Sequence, residues 1–130
     1  MTTAETAQVL LNGWERGNVM AAACPSRSIL RDLTSRWGLL VMLALATGPH
    51  RFGELRRRIS EVSERMLSET LKTLEADGFV LREARDVVPP HVVYSLTPLG
   101  EEAATRLLVL TRWIEDNLPV ILSARQTAAD

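Results

Sequence analysis

A mainly helical domain carrying one small β-ribbon is the fold class this sequence predicts, and three features predict it. Apolar residues recur at helical spacing through most of the chain, as in Leu67, Leu71 and Leu74. Residues that favour helix starts and stops bracket those stretches, with Pro25, Ser63 and Pro98 at starts and Gly48 and Gly78 at ends. Late in the chain the period changes. There, Phe79-Val80-Leu81-Arg82-Glu83 and Val92-Val93-Tyr94-Ser95-Leu96 are β-prone runs joined through Pro89-Pro90.

The elements follow in order. From Thr3 to Val19, Val9, Leu10 and Trp14 suggest a short helix punctuated by Gly13 and Gly17. Proline at the first helical position starts a second helix at Cys24-Pro25, with Ile29, Leu30 and Leu33 on its apolar side. Thr34 or Ser35 caps the next, which carries Trp37, Leu40, Val41 and Leu45 inward and stops at Gly48-Pro49. After a link through Arg51-Phe52, Leu55 and Ile59 define a short helix from Gly53. Ser60-Glu61-Val62 is a tight turn, and Ser63 caps a helix that ends at Asp77-Gly78. The two β-prone runs are expected to pair as a two-stranded ribbon. A last helix starts at Thr97-Pro98, where Glu101 and Glu102 complement its dipole, and its interior from Ala103 to Leu118 is richly apolar.

Short helix, three-residue turn, capped helix and ribbon is the order of a winged helix-turn-helix, whose second helix enters the DNA major groove. The chain divides accordingly into an N-terminal extension (1–23), the winged domain with a C-terminal dimerisation helix (24–117) and a tail (118–130).

Composition bounds the chemistry. The 130 residues fit one domain with one core. Fifteen basic residues against sixteen acidic ones leave a net charge of −1, so any anion-binding face is local. Fourteen of those basic residues are arginine, the side chain suited to forked contacts with phosphate and guanine, and Lys72 is the only lysine. No apolar run approaches the roughly 20 residues that cross a bilayer, and the N-terminus lacks the order of a secretory signal, so a soluble, cytoplasmic protein without membrane contact is expected. One cysteine and two histidines offer no internal disulfide and no metal-ligand spacing, so neither metal nor cofactor is expected.

With Leu67, Leu71 and Leu74 facing the core, Glu64, Arg65, Ser68, Glu69 and Lys72 fall on the opposite side of their helix. Arg65 suits a guanine edge or phosphate, Ser68 either, and Glu69 the amino group of cytosine. Arg56-Arg57-Arg58 is the densest positive cluster, but three consecutive residues fan over about 200°, so only one or two meet the phosphates. On the ribbon, Arg82, Arg85 and His91 are positioned for the DNA backbone or minor groove, opposed by Glu83 and Asp86. The DNA-binding candidates are Arg51, Arg56, Arg57, Ser63, Arg65, Ser68, Glu69, Lys72, Arg82, Arg85 and His91. An ordinary solvated surface is the competing reading for each.

Cys24 lies just ahead of a helix, with Arg27 and Arg31 in the following turns, so a stabilised thiolate is expected. Without a second cysteine, its oxidation ends in an intersubunit bridge, a mixed disulfide or an electrophile adduct. A thiol enzyme would need a base near Cys24, and the sequence places neither His50 nor His91 there, so an enzyme is not expected.

The ordered series Cys24-Pro25, Arg36-Trp37, Arg51-Phe52-Gly53-Glu54-Leu55, Leu71 to Leu74 with Asp77-Gly78, Pro89-Pro90, Val92, Tyr94-Ser95-Leu96-Thr97, Gly100 and Trp113 resembles the HxlR-type family of bacterial winged-helix transcriptional regulators. It spans Cys24 to about Asn117, and Gly53 departs from it where an asparagine-like cap is common. The resemblance implies a homodimer on inverted-repeat double-stranded DNA, acting as a repressor, with dimerisation through the N-terminal region and the final helix. It also implies that Cys24 senses oxidants or electrophiles. Along that final helix, Leu107, Leu110 and Ile114 are expected to face the core, leaving Leu108 and Val109, with Trp113, for the partner. Two other readings stay open: a winged-helix protein-interaction module, and a regulator induced by a flat small molecule in an aromatic pocket built from Trp14, Trp37 and Trp113.

Overall fold

The computed structural model describes residues 1–12 and 18–130. Its elements run α1 (Thr3–Leu11), α2 (Pro25–Thr34), α3 (Arg36–Leu45), β1 (His50–Arg51), α4 (Phe52–Arg58), α5 (Glu64–Ala76), β2 (Val80–Arg85), β3 (His91–Leu96), α6 (Pro98–Asp116) and α7 (Leu118–Ala129). The fold is mostly helical with a small antiparallel sheet, a winged helix-turn-helix.

Local chemistry sets the boundaries. The Ser35 Oγ accepts from the Gly38 N–H at 3.1 Å, and the Ser63 Oγ accepts from the Met66 N–H at 3.1 Å, so each hydroxyl satisfies a donor that an N-terminal turn leaves open. Gly78 ends α5 with φ +85, a left-handed conformation in which a Cβ is disfavoured. Thr97 then links two elements: its hydroxyl donates to the Gly78 carbonyl at 2.6 Å and accepts from the Gly100 N–H at 3.0 Å. The start of α6 is thereby tied to the end of α5. A Cβ at Gly100 would collide with the Phe79 carbonyl, so this close approach requires glycine.

Helix α3 is central, packing on α2, α4, α5, α6 and β3. Its Val41, Met42 and Leu45 join Leu55 and Ile59, Val62 from the turn, Leu67, Leu71 and Leu74 from α5, and Val80 and Leu107 in one core. Helix α5 thus presents one apolar stripe inward, at four- and three-residue spacing, and commits its opposite side to solvent.

Several expectations are corrected. The sheet has three strands, in the order β1-β3-β2, because His50–Arg51 pairs with Tyr94 and Val93. Two residues are too short a run for alternation to reveal. Leu40 is 37% exposed rather than inward, since Val41, Met42, Ala44 and Leu45 already fill the buried side of α3. The cap of α4 is Arg51, not Gly53; its backbone N–H is satisfied by the Glu54 carboxylate at 2.7 Å. Leu110 and Ile114 are exposed, because of the α6 residues only Gly100, Ala104 and Leu107 are buried. The segment expected as a tail forms α7, none of whose residues is buried.

Candidate nucleic-acid interface

The turn between α4 and α5 is anchored from below by Ile59 and Val62, both buried, while Glu61 takes φ +72 at its tip. That anchoring fixes how α5 projects. Leu67, Leu71 and Leu74 are buried, whereas Arg65, Glu69 and Lys72 on the other side are exposed and Ser68 is half-buried. The sequence-derived division of α5 into a buried apolar side and an exposed polar side is present in the structure.

The basic side chains differ in how they are engaged. The Nε of Arg65 lies 3.2 Å from Glu69 Oε1, one turn along the same face. Arg56 Nη1 lies 3.4 Å from Glu64 Oε1, bridging α4 to the first turn of α5. Arg58 turns away: its Nη1 donates to the Thr47 hydroxyl at 2.8 Å and lies 3.0 Å from His50 Nε2. The His50 Nδ1 is 2.7 Å from the Gly48 carbonyl, an acceptor only, so Nδ1 carries the proton and Nε2 accepts from Arg58. Arg56 and Arg57, by contrast, line a cleft of about 340 Å³ at the junction of α4 and α5, with Phe52, Gly53 and Glu64. Of the arginine triplet, two members face that cleft and one is structural.

On the ribbon, Arg82 pairs with Tyr94 and Arg85 with His91. Side chains alternate along a strand, so Arg82 shares a face with Val80 and Leu96, toward α5, while Arg85 and His91 lie on the other face. The structure therefore does not gather Arg82, Arg85 and His91 into one contact. It joins His91 to Arg51 instead, with Nη2 3.5 Å from Nε2, at the β1 side of the sheet. Lys72, Ser68 and Arg82 do meet, in a cleft between α5 and the ribbon that also exposes Tyr94 and Glu75. Tyr94 and Glu75 are absent from the sequence-derived set, and the cross-strand pairing of Tyr94 with Arg82 is the signal that would have found Tyr94.

Cys24 caps α2 with extended backbone and is 3% exposed. Trp37 packs against the core beneath the Arg36 guanidinium, 4.3 Å from the ring centroid, and Trp113 is exposed on α6; Trp14 lies outside the described residues. An apolar groove of about 380 Å³ between α1 and α2 is lined, among the described residues, mainly by aliphatic side chains, including Leu10, Ile29, Leu30 and Leu33. Leu108, Val109 and Trp113 stand exposed on α6, with Leu110 and Ile114 beside them and Val120 and Leu122 on α7.

Two carboxylates are perturbed. The Glu54 carboxylate, accepting the Arg51 N–H, is held below its ordinary value of 4.5. Asp77, at the end of α5, is pushed up from 3.8 to about 6 by burial and by the neighbouring Asp32 carboxyl, with Arg31 opposing. Among the described residues, no group of three or more His, Cys, Asp or Glu is arranged to hold a metal ion, and no helix is long and apolar enough to cross a membrane.

The comparisons agree with this geometry. A family model described as HxlR-like helix-turn-helix matches residues 32–121. The Escherichia coli protein YtfH, named as an HTH-type transcriptional regulator, is 53% identical over 115 residues, 88% of this chain and 91% of its own length. Among solved structures, the ytfH protein of Salmonella typhimurium superposes with a TM-score of 0.78 at 52% identity, covering 84% of this chain and 97% of that one. The redox regulator HypR in its reduced form gives a TM-score of 0.69 at 36% identity, covering 76% and 98%.

Proposed function

The chain belongs to the HxlR-like helix-turn-helix family of transcriptional regulators, and on that premise we propose that it works in the cytoplasm as a dimeric repressor on an inverted-repeat operator. Helix α5 enters the major groove, with Arg65 and Glu69 toward base edges and Ser68 toward a phosphate. Arg56, Arg57, Ser63 and Lys72 meet phosphates, and the β2–β3 ribbon is the wing, its Arg82, Arg85 and His91, with Arg51, meeting the flanking backbone. The observation that carries this reading is the uncovered polar side of α5, flanked by an arginine-lined cleft on one edge and the ribbon on the other. Dimerisation is supported by the exposed apolar residues of α6 and α7, Leu108, Val109 and Trp113 among them, too many for a lone helix pair in water. Footprinting on the region upstream of the protein's own gene tests the reading. The expected result is two protected half-sites whose centres lie about one or two helical turns apart. A single protected patch, or none, speaks against it.

A redox input through Cys24 is a second reading, favoured by the position of the thiol at the head of α2 and by the likeness to a protein titled a redox regulator. Two Cys24 thiols from two chains would give two electrons and two protons to an oxidant such as diamide, whose N=N bond becomes a hydrazine, leaving one intersubunit S–S bond. At 3% exposure the thiol must first be uncovered, so reaction with diamide is expected to be slow and to accelerate in mild denaturant. Diamide that releases DNA from the parent chain but not from Cys24→Ser supports this reading; equal release from both removes it.

A further inference from the structure

The cleft between α5 and the ribbon holds about 320 Å³ and is lined by Ser68, Leu71, Lys72 and Glu75 on one side and Arg82 and Tyr94 on the other. Ser68, Leu71, Lys72 and Glu75 recur at helical spacing, so they form one stripe of α5. Arg82 and Tyr94 are a directly opposed cross-strand pair, so the helix stripe and the strand pair face each other across the cleft. Leu71, 2% exposed, is the apolar floor, and Tyr94 packs its ring against the core.

The groups at this cleft are uncommitted. Among the described residues, Lys72 and Arg82 form no ion pair, and the Ser68 and Tyr94 hydroxyls make no hydrogen bond, whereas Arg56, Arg58 and Arg65 are each engaged by a neighbour. Two cations, two hydroxyl donors and a single carboxylate therefore converge on one volume. Their formal charge is +1, from Lys72 and Arg82 against Glu75. That balance matches the single negative charge of a phosphodiester and leaves a phosphomonoester, at about −1.5 to −2 near neutral pH, undercompensated.

We propose that this cleft is a phosphodiester clamp, in which Lys72, Arg82 and the Ser68 and Tyr94 hydroxyls hold one backbone phosphate of bound DNA while Glu75 rejects anions of higher charge. The proposal rests on the DNA-binding reading above and adds two residues to it, Tyr94 as a phosphate-holding residue and Glu75 as the one that selects the charge of the anion. Because a phosphate contact carries no base information, the clamp fixes how the wing sits against α5 without choosing sequence.

The test uses the full chain and a fluorescent duplex of the region upstream of its own gene, titrated at several salt concentrations, with inorganic phosphate as competitor. Tyr94→Phe keeps the ring and removes the hydroxyl, so binding to this duplex and to scrambled DNA is expected to fall alike, by about tenfold, with the salt slope unchanged. Lys72→Gln is expected to lower the slope by about 0.9, and Glu75→Gln to tighten DNA binding and make inorganic phosphate a better competitor. The two α5 variants change exposed side chains, so they decide the matter should Tyr94→Phe fold poorly. Parent-like binding by Tyr94→Phe, Lys72→Gln and Glu75→Gln, in a protein whose preference for the upstream duplex is weakened in Arg65→Ala, overturns the clamp and spares the DNA-binding reading. Displacement of DNA from the parent chain by inorganic phosphate beyond its ionic-strength effect also overturns it, since the cleft would then prefer the free anion. A parent chain that binds neither duplex overturns the DNA-binding reading itself.

Discussion

Arg65 and Glu69, one turn apart on the exposed side of α5, hold each other at 3.2 Å from Nε to Oε1. An exposed pair of this kind contributes about 0–1 kcal/mol, so it opposes DNA binding little, yet it restricts where the guanidinium points. Arg65→Ala is expected to cost about 1–3 kcal/mol at one base position and to relax specificity there. Glu69→Ala, which frees the guanidinium, should weaken binding less and broaden the preference at a neighbouring position. Titration against single-base variants of the footprinted site measures both.

The arginine triplet separates by engagement. Arg57→Ala should lower the salt slope of DNA binding by about 0.9, the signature of one lost phosphate contact. Arg58→Ala should leave the slope alone and reduce stability by about 1 kcal/mol, because the Thr47 hydroxyl and His50 Nε2 lose their donor. Salt-dependent anisotropy and denaturant unfolding on the two variants check the contrast.

Stability should depend on pH through Asp77. Its folded value of about 6 lies above its ordinary 3.8, so folding takes up a proton between those values. The resulting stabilisation is complete below 3.8 and is lost as pH rises through 6. Asp77→Asn removes the repulsion with Asp32 and should raise stability at pH 7.5 by about 1–2 kcal/mol after solvent screening, the gain shrinking toward pH 5. Glu54 acts in the opposite sense: its lowered value contributes stability above 4.5 that is lost as pH falls further. Thermal melts of parent and Asp77→Asn across pH 5 to 7.5 show the first effect.

Gly100→Ala should destabilise the chain by about 1–3 kcal/mol, because the added methyl group meets the Phe79 carbonyl, backbone that the Thr97 bridge holds in place. A lowered midpoint in urea with an unchanged slope is the expected result.

What the sequence disclosed followed from periodicity and punctuation. Leu67, Leu71 and Leu74 identified the buried side of α5, and Ser63, Gly78 and Thr97 marked its surroundings, because caps and left-handed turns are local chemistry. Strand β1 escaped because two residues carry no alternation. Leu110 and Ile114 fell in step with Leu107, and spacing alone does not say where the neighbouring core ends; the helix runs past it. The pairing of Tyr94 with Arg82 depends on register, which is set by the whole ribbon, so the cleft they share with Lys72 was invisible until the strands were in place. The settled Arg58 was hidden for the same reason, its partners Thr47 and His50 lying on other elements.

The most direct test of the central claim, that α5 and the ribbon of a dimer read operator DNA, is a salt-dependent binding titration of the reduced chain on the region upstream of its own gene and on a scrambled duplex. The expected result is dimeric binding that favours the upstream region at every salt concentration, with log K falling linearly in log salt. Equal affinity for both duplexes, or none for either, would contradict it.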